Sequence, residues 1–256
     1  MRIARVAVPG LEHPVFGVID GERIDLIVGS PFIDADLNYS GVVLNLSDVR
    51  LLAPVLPSKI VCVGKNYADH AAEMGGEVPA EPVIFLKPNT TVIGDGDNIV
   101  LPTQSSNVHY EAELAVVIGA LAKNVDPARA DEVIFGYTCA NDVTARDLQN
   151  SDGQWTRAKS FDTFCPLGPW IETELEPTSL AISTELNDET KQDGNTKDLV
   201  RTAREMVAWI SQVMTLVPGD VILTGTPAGV GPMVDGDVVS VTIEDIGTLT
   251  NPVVSR

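Results

Sequence analysis

The chain has 256 residues, of which 44% are hydrophobic and 21% are charged, and its formal net charge at pH 7 is −19. These proportions are ordinary for one large globular domain, or for a large domain with a small companion. The acidic excess argues against binding to nucleic acid or to an anionic membrane surface, because both require basic patches. It does not exclude an anionic small-molecule substrate, since a few local cations can make a single pocket positive.

The cysteines and the hydropathy pattern indicate the compartment. Cys62, Cys139 and Cys165 lie far apart, and an odd, scattered set predicts reduced, buried thiols. No apolar stretch approaches the length of a membrane span, and no basic segment followed by an apolar one marks a secretory leader. We therefore expect a soluble, cytoplasmic protein with no membrane partner.

Short strand-like runs at residues 3–8, 15–19 and 24–27 fill the beginning of the chain. Turns separate them, and Asp20-Gly21 is a typical hairpin signal. Pro54 and Pro57 then stiffen a connector at residues 51–57. We predict a small β-rich lobe at residues 1–53 and a larger domain at residues 57–256.

Strand-like segments also outnumber helix-like ones in the larger domain. A helix is predicted at residues 66–74, ended by Gly75-Gly76, and another at residues 198–215, where an apolar stripe runs from Leu199 to Met214. The absence of regular strand–helix alternation favours a mixed, mostly β, α+β domain over a Rossmann sheet or a TIM barrel. The predicted strands are residues 60–63, 83–86, 99–101, 114–118, 133–139, 221–224 and 238–243, of which 114–118 and 133–139 are apolar enough to be central.

Glu111 and Glu113 stand two residues apart at the head of the apolar run 114–118. Side chains at this spacing share one face of a strand, so the two carboxylates would repel each other unless a cation joined them. Asp142 adds a third carboxylate where the run 133–140 ends. Oxygen ligands without Cys or His at ligand spacing suit Mg²⁺ or Mn²⁺ and not zinc. The alternative is a solvated strand edge with a turn aspartate.

His70 and Glu73 lie three residues apart in the predicted helix 66–74, so they share a face and can hydrogen-bond. A carboxylate on one imidazole nitrogen fixes the tautomer and raises the basicity of the other, which makes a water-activating pair. The two glycines after the helix suggest a hinge, so the helix could close over a site as a lid. The alternative is an exposed surface pair.

Three further segments carry polar groups that allow more than one interpretation. Residues 141–147 lie at a strand-to-helix junction, where an Asn or Asp could serve only as an N-cap. Lys159 is a candidate to hold a substrate carboxylate or to balance the acidic site, although most lysines are solvated. The glycine-rich loop 224–231 lacks the ending of a P-loop, so its N–H groups and the Thr226 hydroxyl would hold a small carboxylate instead of a nucleotide phosphate.

Taken in order, these segments resemble the fumarylacetoacetate hydrolase family over nearly all of residues 59–256. The small N-terminal lobe is also similar, with a weaker match, to the one that many bacterial members carry. Six motifs in one order carry the resemblance: G-x-N-Y-x-x-H at 64–70, F-x-K-P at 85–88, E-x-E-L at 111–114, N-D-x-T-x-R-D at 141–147, A-K-S-x-D at 158–162, and P-G-D followed by T-G-T-P-x-G-V-G within 218–231.

The resemblance implies the family's mixed β-roll, usually as a homodimer, with one Mg²⁺ or Mn²⁺ per subunit. Strand parity places His109 on the same face as the two glutamates, and we expect this side chain beside the site or at the surface rather than on the metal. The positions that match the family's site are, as metal ligands, Glu111, Glu113 and Asp142; as the acid–base pair and active-site lysine, His70, Glu73 and Lys159; and as substrate-binding residues, Arg146, Gln149, Thr226 and, as a further candidate that would at least pack near the site, Lys87.

The implied substrate is a small 2-oxo acid that chelates the metal, which acts as a Lewis acid and an electron sink for an enolate. Three reactions can use that enolate: C–C hydrolysis of an acylpyruvate, isomerisation of a 2-hydroxyhepta-2,4-diene-1,7-dioate or 5-carboxymethyl-2-hydroxymuconate of aromatic catabolism, and decarboxylation of oxaloacetate. The His–Glu pair favours hydrolysis, because that reaction requires an activated water. A catalytically silent binding homologue is an alternative of another class, against which the full set of matching site residues argues.

Overall fold

The computed structural model describes residues 1–33 and 36–256, and these residues form three β-sheets and four α-helices. The mostly β, α+β architecture predicted from the sequence is confirmed. Cys62, Cys139 and Cys165 are buried free thiols, also as predicted. Among the described residues, no helix is both long and apolar enough to cross a membrane.

The beginning of the chain forms five strands, three of which were predicted. The turn between the second and third strands falls at residues 21–22, where Asp20-Gly21 indicated a hairpin. Ala4, Val6 and Ile24 form the centre of a small hydrophobic core of their own. The strands are β1 Arg2–Ala7, β2 Val15–Asp20, β3 Arg23–Val28, β4 Asn38–Asn45 and β5 Arg50–Leu52.

The rest of the chain contains the four helices and the remaining strands. The helices are α1 Ala68–Glu73, α2 Arg146–Asp152, α3 Thr156–Lys159 and α4 Ala203–Val213. The strands are β6 Ile60–Gly64, β7 Val83–Lys87, β8 Val92–Ile93, β9 Ile99–Leu101, β10 Val108–Tyr110, β11 Ala112–Ile118, β12 Ile134–Asn141, β13 Thr144–Ala145, β14 Cys165–Glu172, β15 Ala181–Leu186, β16 Glu189–Asn195, β17 Val221–Leu223, β18 Gly231–Met233, β19 Val238–Ile243 and β20 Gly247–Ser255.

One sheet runs through both parts of the chain. Its order is β4-β3-β2-β1-β14-β12-β11-β17-β6-β7, with β5 beside β1 and β8 beside β14. β1 joins the two parts because Ile3 pairs with Ile171, and β5 takes up the first residues of the predicted connector. Two smaller sheets, β13-β10-β18 and β16-β15-β19-β20-β9, complete the fold. The division between residues 53 and 57 stays a prediction.

The strands that lead to the acidic residues lie in the middle of the large sheet. β12 and β17 pair with β11 on its two sides, and all seven residues of β11 are buried. Val116 packs into one hydrophobic core and Val117 into another on the opposite face. Burial on both faces explains the unbroken apolar runs, which predicted these strands as central.

The helix predicted at residues 198–215 is shorter in the structure, where α4 begins only after Thr202. The Thr202 side chain and Glu205 form a reciprocal capping box, which fixes the start of the helix. Leu199, which extended the apolar stripe, instead forms an isolated β-bridge with Tyr67. The predicted helix 66–74 is likewise trimmed to α1, and Gly75 follows it with a φ of 71°.

Candidate active site

The three predicted metal ligands meet in one cluster, in which one oxygen of each carboxylate lies within 4.8 Å of those of the other two. Glu111 lies between β10 and β11, Glu113 lies in β11, and Asp142 follows β12. Their exposed fractions are only 4%, 2% and 1%. The alternative of a solvated strand edge is therefore wrong.

Two hydrogen bonds from backbone N–H groups fix the junction at which the acidic residues lie. The Glu111 N–H donates to Asn141 Oδ1, and the Asp142 N–H donates to the Glu111 carbonyl, both at 2.9 Å. These bonds hold the chain where it passes from the small sheet of β10 into the large sheet. α2 begins after Ala145 without any side-chain cap, so Asn141 and Asp142 are not N-caps.

Three buried cations surround two of the carboxylates. Lys159 Nζ lies 2.8 Å from Glu111 Oε2 and 2.6 Å from Asp142 Oδ2. Arg146 forms a second ion pair with Glu111, and Lys87 forms a second ion pair with Asp142. Glu113 accepts the N–H of Gly225, and in the described part of the chain it has no ion-pair partner.

These contacts shift the pKa values of the cluster in opposite directions. Burial raises the pKa of Glu113, and the charges of Asp142 and Glu111 raise it further. Burial opposes ionisation of Glu111 as well, but Lys159 and Arg146 outweigh it and lower that pKa. Burial would lower the pKa of Lys159, yet Asp142 and Glu111 raise it to about 12. The two paired carboxylates therefore favour the charged form of Lys159.

The donor set fits a divalent metal ion. Glu113 is a buried carboxylate that forms no ion pair within residues 1–33 and 36–256, and its ionisation is costly unless a bound cation shares the charge. All three residues offer hard carboxylate oxygens, which are the ligands that Mg²⁺ and Mn²⁺ prefer. Glu111, Glu113 and Asp142 would hold the ion, and Lys159 and Lys87 would keep Asp142 oriented.

His70 and Glu73 form the predicted pair on α1. His70 Nδ1 lies 3.1 Å from Glu73 Oε2, and Glu73 Oε1 accepts the Gly229 N–H at 3.0 Å. Because a carboxylate accepts, Nδ1 carries the hydrogen and the lone pair of Nε2 is left for a substrate. His70 is 7% exposed and lines the same cavity as the acidic cluster. The alternative of an exposed surface pair is therefore wrong for the histidine.

A cavity of about 190 Å³ brings most of the predicted site residues together. Glu73 supports His70 from outside this cavity, and Lys87 lies behind Asp142, where it also donates to the Val143 carbonyl at 3.2 Å. The lining residues are Val63, Gly64, Lys65, His70, Met74, Phe85, Glu111, Glu113, Asp142, Arg146, Gln149, Asn150, Trp155, Lys159 and Thr226.

His109 lies beside the site without lining the cavity. Its Nε2 lies 2.9 Å from Asn107 Oδ1. Burial lowers the pKa of His109 to about 4, with a smaller contribution from the positive charge of Arg146. A neutral imidazole turned towards Asn107 agrees with a place next to the metal site and not on it.

Aromatic side chains form one wall of the cavity. Phe85 and Trp155 meet edge to face with ring centroids 5.3 Å apart, and Lys159 Nζ lies 5.0 Å from the Phe85 centroid. A Cβ at Gly64 would lie 2.6 Å from Trp155 Cζ3, so this wall requires glycine at the start of the G-x-N-Y motif. Neither aromatic residue was predicted as a site residue, although Phe85 begins the F-x-K-P motif.

Buried amides position the glycine-rich loop, and sequence reasoning missed them as site residues. Gln192 Nε2 donates to Thr226 Oγ1 at 2.8 Å, while its Oε1 accepts the Ala112 N–H at 3.0 Å. Asn66 Nδ2 donates to the Thr224 carbonyl at 2.8 Å. Asn66 carries a signal because it belongs to the G-x-N-Y motif, whereas Gln192 lies in a polar strand and has none.

The sequence profile described as fumarylacetoacetate (FAA) hydrolase C-terminal matches residues 59–254, and a profile described as Rv2993c-like, N-terminal matches residues 1–54. The chain belongs to the fumarylacetoacetate hydrolase family. The resemblance inferred from the six motifs is confirmed.

Similar proteins include enzymes of several reactions. A 2-hydroxyhepta-2,4-diene-1,7-dioate isomerase structure from Mycobacterium marinum is 52% identical, with a TM-score of 0.92 over 100% of this chain and 99% of that one. Human mitochondrial oxaloacetate tautomerase FAHD2A is 47% identical over 225 residues, which cover 83% of this chain and 72% of the relative. A maleylpyruvate hydrolase structure from Sphingobium, in complex with manganese(II) and pyruvate, is 33% identical, with a TM-score of 0.82 over 100% and 99% of the two chains. The family's fold is therefore confirmed for this chain, and members of the family are enzymes.

Proposed function

We propose that this protein is a divalent-metal-dependent enzyme that moves a proton on a 2-oxo acid through an enolate, by keto–enol tautomerisation or double-bond migration. The observation that carries the proposal is one cavity that joins a buried three-carboxylate cluster to a histidine with a free Nε2. A bound Mg²⁺ or Mn²⁺ would supply Lewis acidity to the 2-oxo group and so acidify the neighbouring carbon.

The chain's own hydrogen bonds leave two donors directed at a substrate. Gln149 Oε1 accepts from Arg146 Nη1 at 2.6 Å, and within residues 1–33 and 36–256 the amide NH₂ of Gln149 has no acceptor, so it is free to donate. Thr226 Oγ1 accepts from Gln192, so the Thr226 hydroxyl hydrogen is likewise free. Both residues line the cavity and would orient the substrate's carboxylate and oxo groups.

We assign proton transfer to His70, because Glu73 leaves the lone pair of its Nε2 for a substrate, whereas Glu111 and Asp142 hold the Lys159 ammonium. His70 Nε2 would take the proton from the carbon next to the oxo group and return it to the other end of the enolate. Glu73 would stabilise the imidazolium that forms between these steps, since its carboxylate already accepts from Nδ1. Lys159, held by Glu111 and Asp142, would add positive charge beside the enolate oxygen.

Two of the relatives described above support proton transfer as the first candidate. One is the isomerase at 52% identity, and the other is the tautomerase at 47% identity. Proton transfer also needs one base and no ordered water. The second candidate is C–C hydrolysis of an acylpyruvate, which the sequence favoured. The His70–Glu73 pair supports it because such a pair can activate water, and the maleylpyruvate hydrolase at 33% identity adds a precedent.

A substrate panel with Mg²⁺ tests the proposal and separates the candidates. The panel contains oxaloacetate, acetylpyruvate, fumarylpyruvate and an unsaturated C7 2-hydroxy diacid, followed by enol absorbance and by product identity. Proton transfer changes the enol absorbance without release of a new molecule, hydrolysis releases pyruvate and a second acid, and decarboxylation releases CO₂. Absence of metal-dependent turnover on all four compounds would contradict the proposal and favour a silent binding homologue.

The expected assembly and compartment remain parts of the proposal. The family resemblance supports a homodimer, and light scattering of the purified protein would measure its mass. The acidic charge and the reduced thiols support a cytoplasmic protein that has no nucleic-acid or membrane partner.

A further inference from the structure

Lys65 has an unusual backbone conformation at the edge of the cavity. It directly follows β6, and its φ of 57° lies in the left-handed region, which non-glycine residues rarely adopt. Asn66 holds this conformation, because its Oδ1 accepts the Arg201 N–H at 2.9 Å and its Nδ2 donates to the Thr224 carbonyl. Such strain is concentrated at functional sites, where the surrounding structure enforces it.

The Lys65 side chain reaches the end of α1 and lines the cavity there. A Cβ built on Gly76 would lie 2.8 Å from Lys65 Nζ, which places the ammonium group beside the backbone that follows the helix. Lys65 is half-buried. Within residues 1–33 and 36–256 it forms no ion pair and no side-chain hydrogen bond, so its three donors are available.

The other cations at the cavity are committed to the acidic cluster. Lys159 and Arg146 pair with Glu111, and the fully buried Lys87 pairs with Asp142. A 2-oxo acid with one carboxylate would place that carboxylate and its oxo group at the metal cluster and leave Lys65 without a partner. A second carboxylate at the far end of the substrate would give Lys65 one.

We propose that Lys65 binds the second carboxylate of the substrate and so selects dicarboxylic 2-oxo acids over monocarboxylic ones. The proposal rests on the proposed function, because it assumes that the first carboxylate and the oxo group are held at the acidic cluster. Lys65 acts on specificity, while His70 and the metal cluster carry the reaction. Lys65 occupies the variable position of the G-x-N-Y motif. The neighbouring Asn66 holds the backbone there through its hydrogen bonds.

Binding of two analogues that cannot tautomerise tests the proposal independently of proton transfer. The ligands are 3,3-difluorooxaloacetate, which has two carboxylates, and 3,3-difluoro-2-oxobutyrate, which has one; neither has a proton to lose at C3. Calorimetry with saturating Mg²⁺ compares the wild type with K65M, K65R and K123M. Lys123 is an exposed lysine outside the cavity lining and serves as the matched control.

We expect the wild type and K123M to prefer the dicarboxylate, and K65M to lose about 10- to 100-fold of that preference, the effect of a hydrogen bond between charged groups. K65R should keep most of it, because the cation remains. An equal preference in K65M and the wild type would overturn the proposal, as would a wild type that binds both ligands equally while the substrate panel turns over. A dicarboxylate preference that the wild type has and K65M loses, without turnover of any compound in the panel, would contradict the proposed reaction and still support the role of Lys65.

Discussion

The acidic cluster and helix α1 face the same cavity but are anchored in different ways. Glu113 lies in a central strand that pairs on both sides, and the three carboxylates are at most 4% exposed. Four of the six residues of α1 are exposed, namely Ala68, Asp69, Ala72 and Glu73, and Gly75 lies just beyond the end of the helix. The acidic charges are thus built into the sheet, whereas the proposed base lies on a short helix that we expect to move.

Removal of a carboxylate from the rigid region should have the largest effect. Glu113→Ala removes the one ligand that has no ion-pair partner in the described chain, so we expect loss of metal binding and of all turnover with the fold retained. Mn²⁺ titration by calorimetry and assays with the substrate panel measure both effects, and circular dichroism checks the fold. Glu113→Gln is the matched control for shape. Full metal-dependent turnover in Glu113→Ala would refute the ligand assignment.

Removal of the base should have a smaller effect and leave the metal site intact. His70→Ala should slow proton transfer, or hydrolysis if that is the reaction, by about 10²- to 10⁴-fold, as for a lost general base, while Mn²⁺ binding stays unchanged. Decarboxylation of oxaloacetate needs the metal and no general base, so it should suffer less. Assays of both substrate types with saturating Mg²⁺ test this difference. Equal losses for every reaction would contradict this difference and would show that His70 serves a step that all of them share, rather than the activation of water.

The smallest effect should be on dynamics. Amide hydrogen exchange at residues 65–82 should be faster than in β11 and β12, because α1 has few anchors, and it should slow when Mg²⁺ and pyruvate are added. β11 and β12 serve as the internal reference, since they should remain protected in both states. Unchanged exchange across residues 65–82 on ligand addition would count against a lid.

Local signals in the sequence predicted which carboxylates cluster better than they predicted the helix boundaries and the supporting hydrogen bonds around them. Glu111, Glu113 and Asp142 were predicted because strand parity and a strand end bring nearby residues together. The start of α4 was predicted too early, because the stripe at Leu199 is helical in spacing but the segment pairs with Tyr67. Gln192 could not be predicted as a site residue because it belongs to none of the six motifs. It forms hydrogen bonds with four residues that are not its neighbours in sequence: Ala112, Thr184, Thr226 and Pro227. The lack of an ion pair at Lys65 in the described chain was likewise not predictable, because the ion pairs of the other cations form only in the folded site.

The glycine-rich loop 224–231 contacts both the cavity and the carboxylate that orients the proposed base. Thr226 lines the cavity, and three residues later the Gly229 N–H binds Glu73 and thereby orients His70. Gly229 has a φ of 101°, and a Cβ there would lie 2.3 Å from the Lys191 carbonyl oxygen, so the loop backbone is locked against β16. Small displacements of the loop would carry both groups together. The distance between the bound substrate and the proton acceptor would therefore be preserved while the rest of the cavity rim moves.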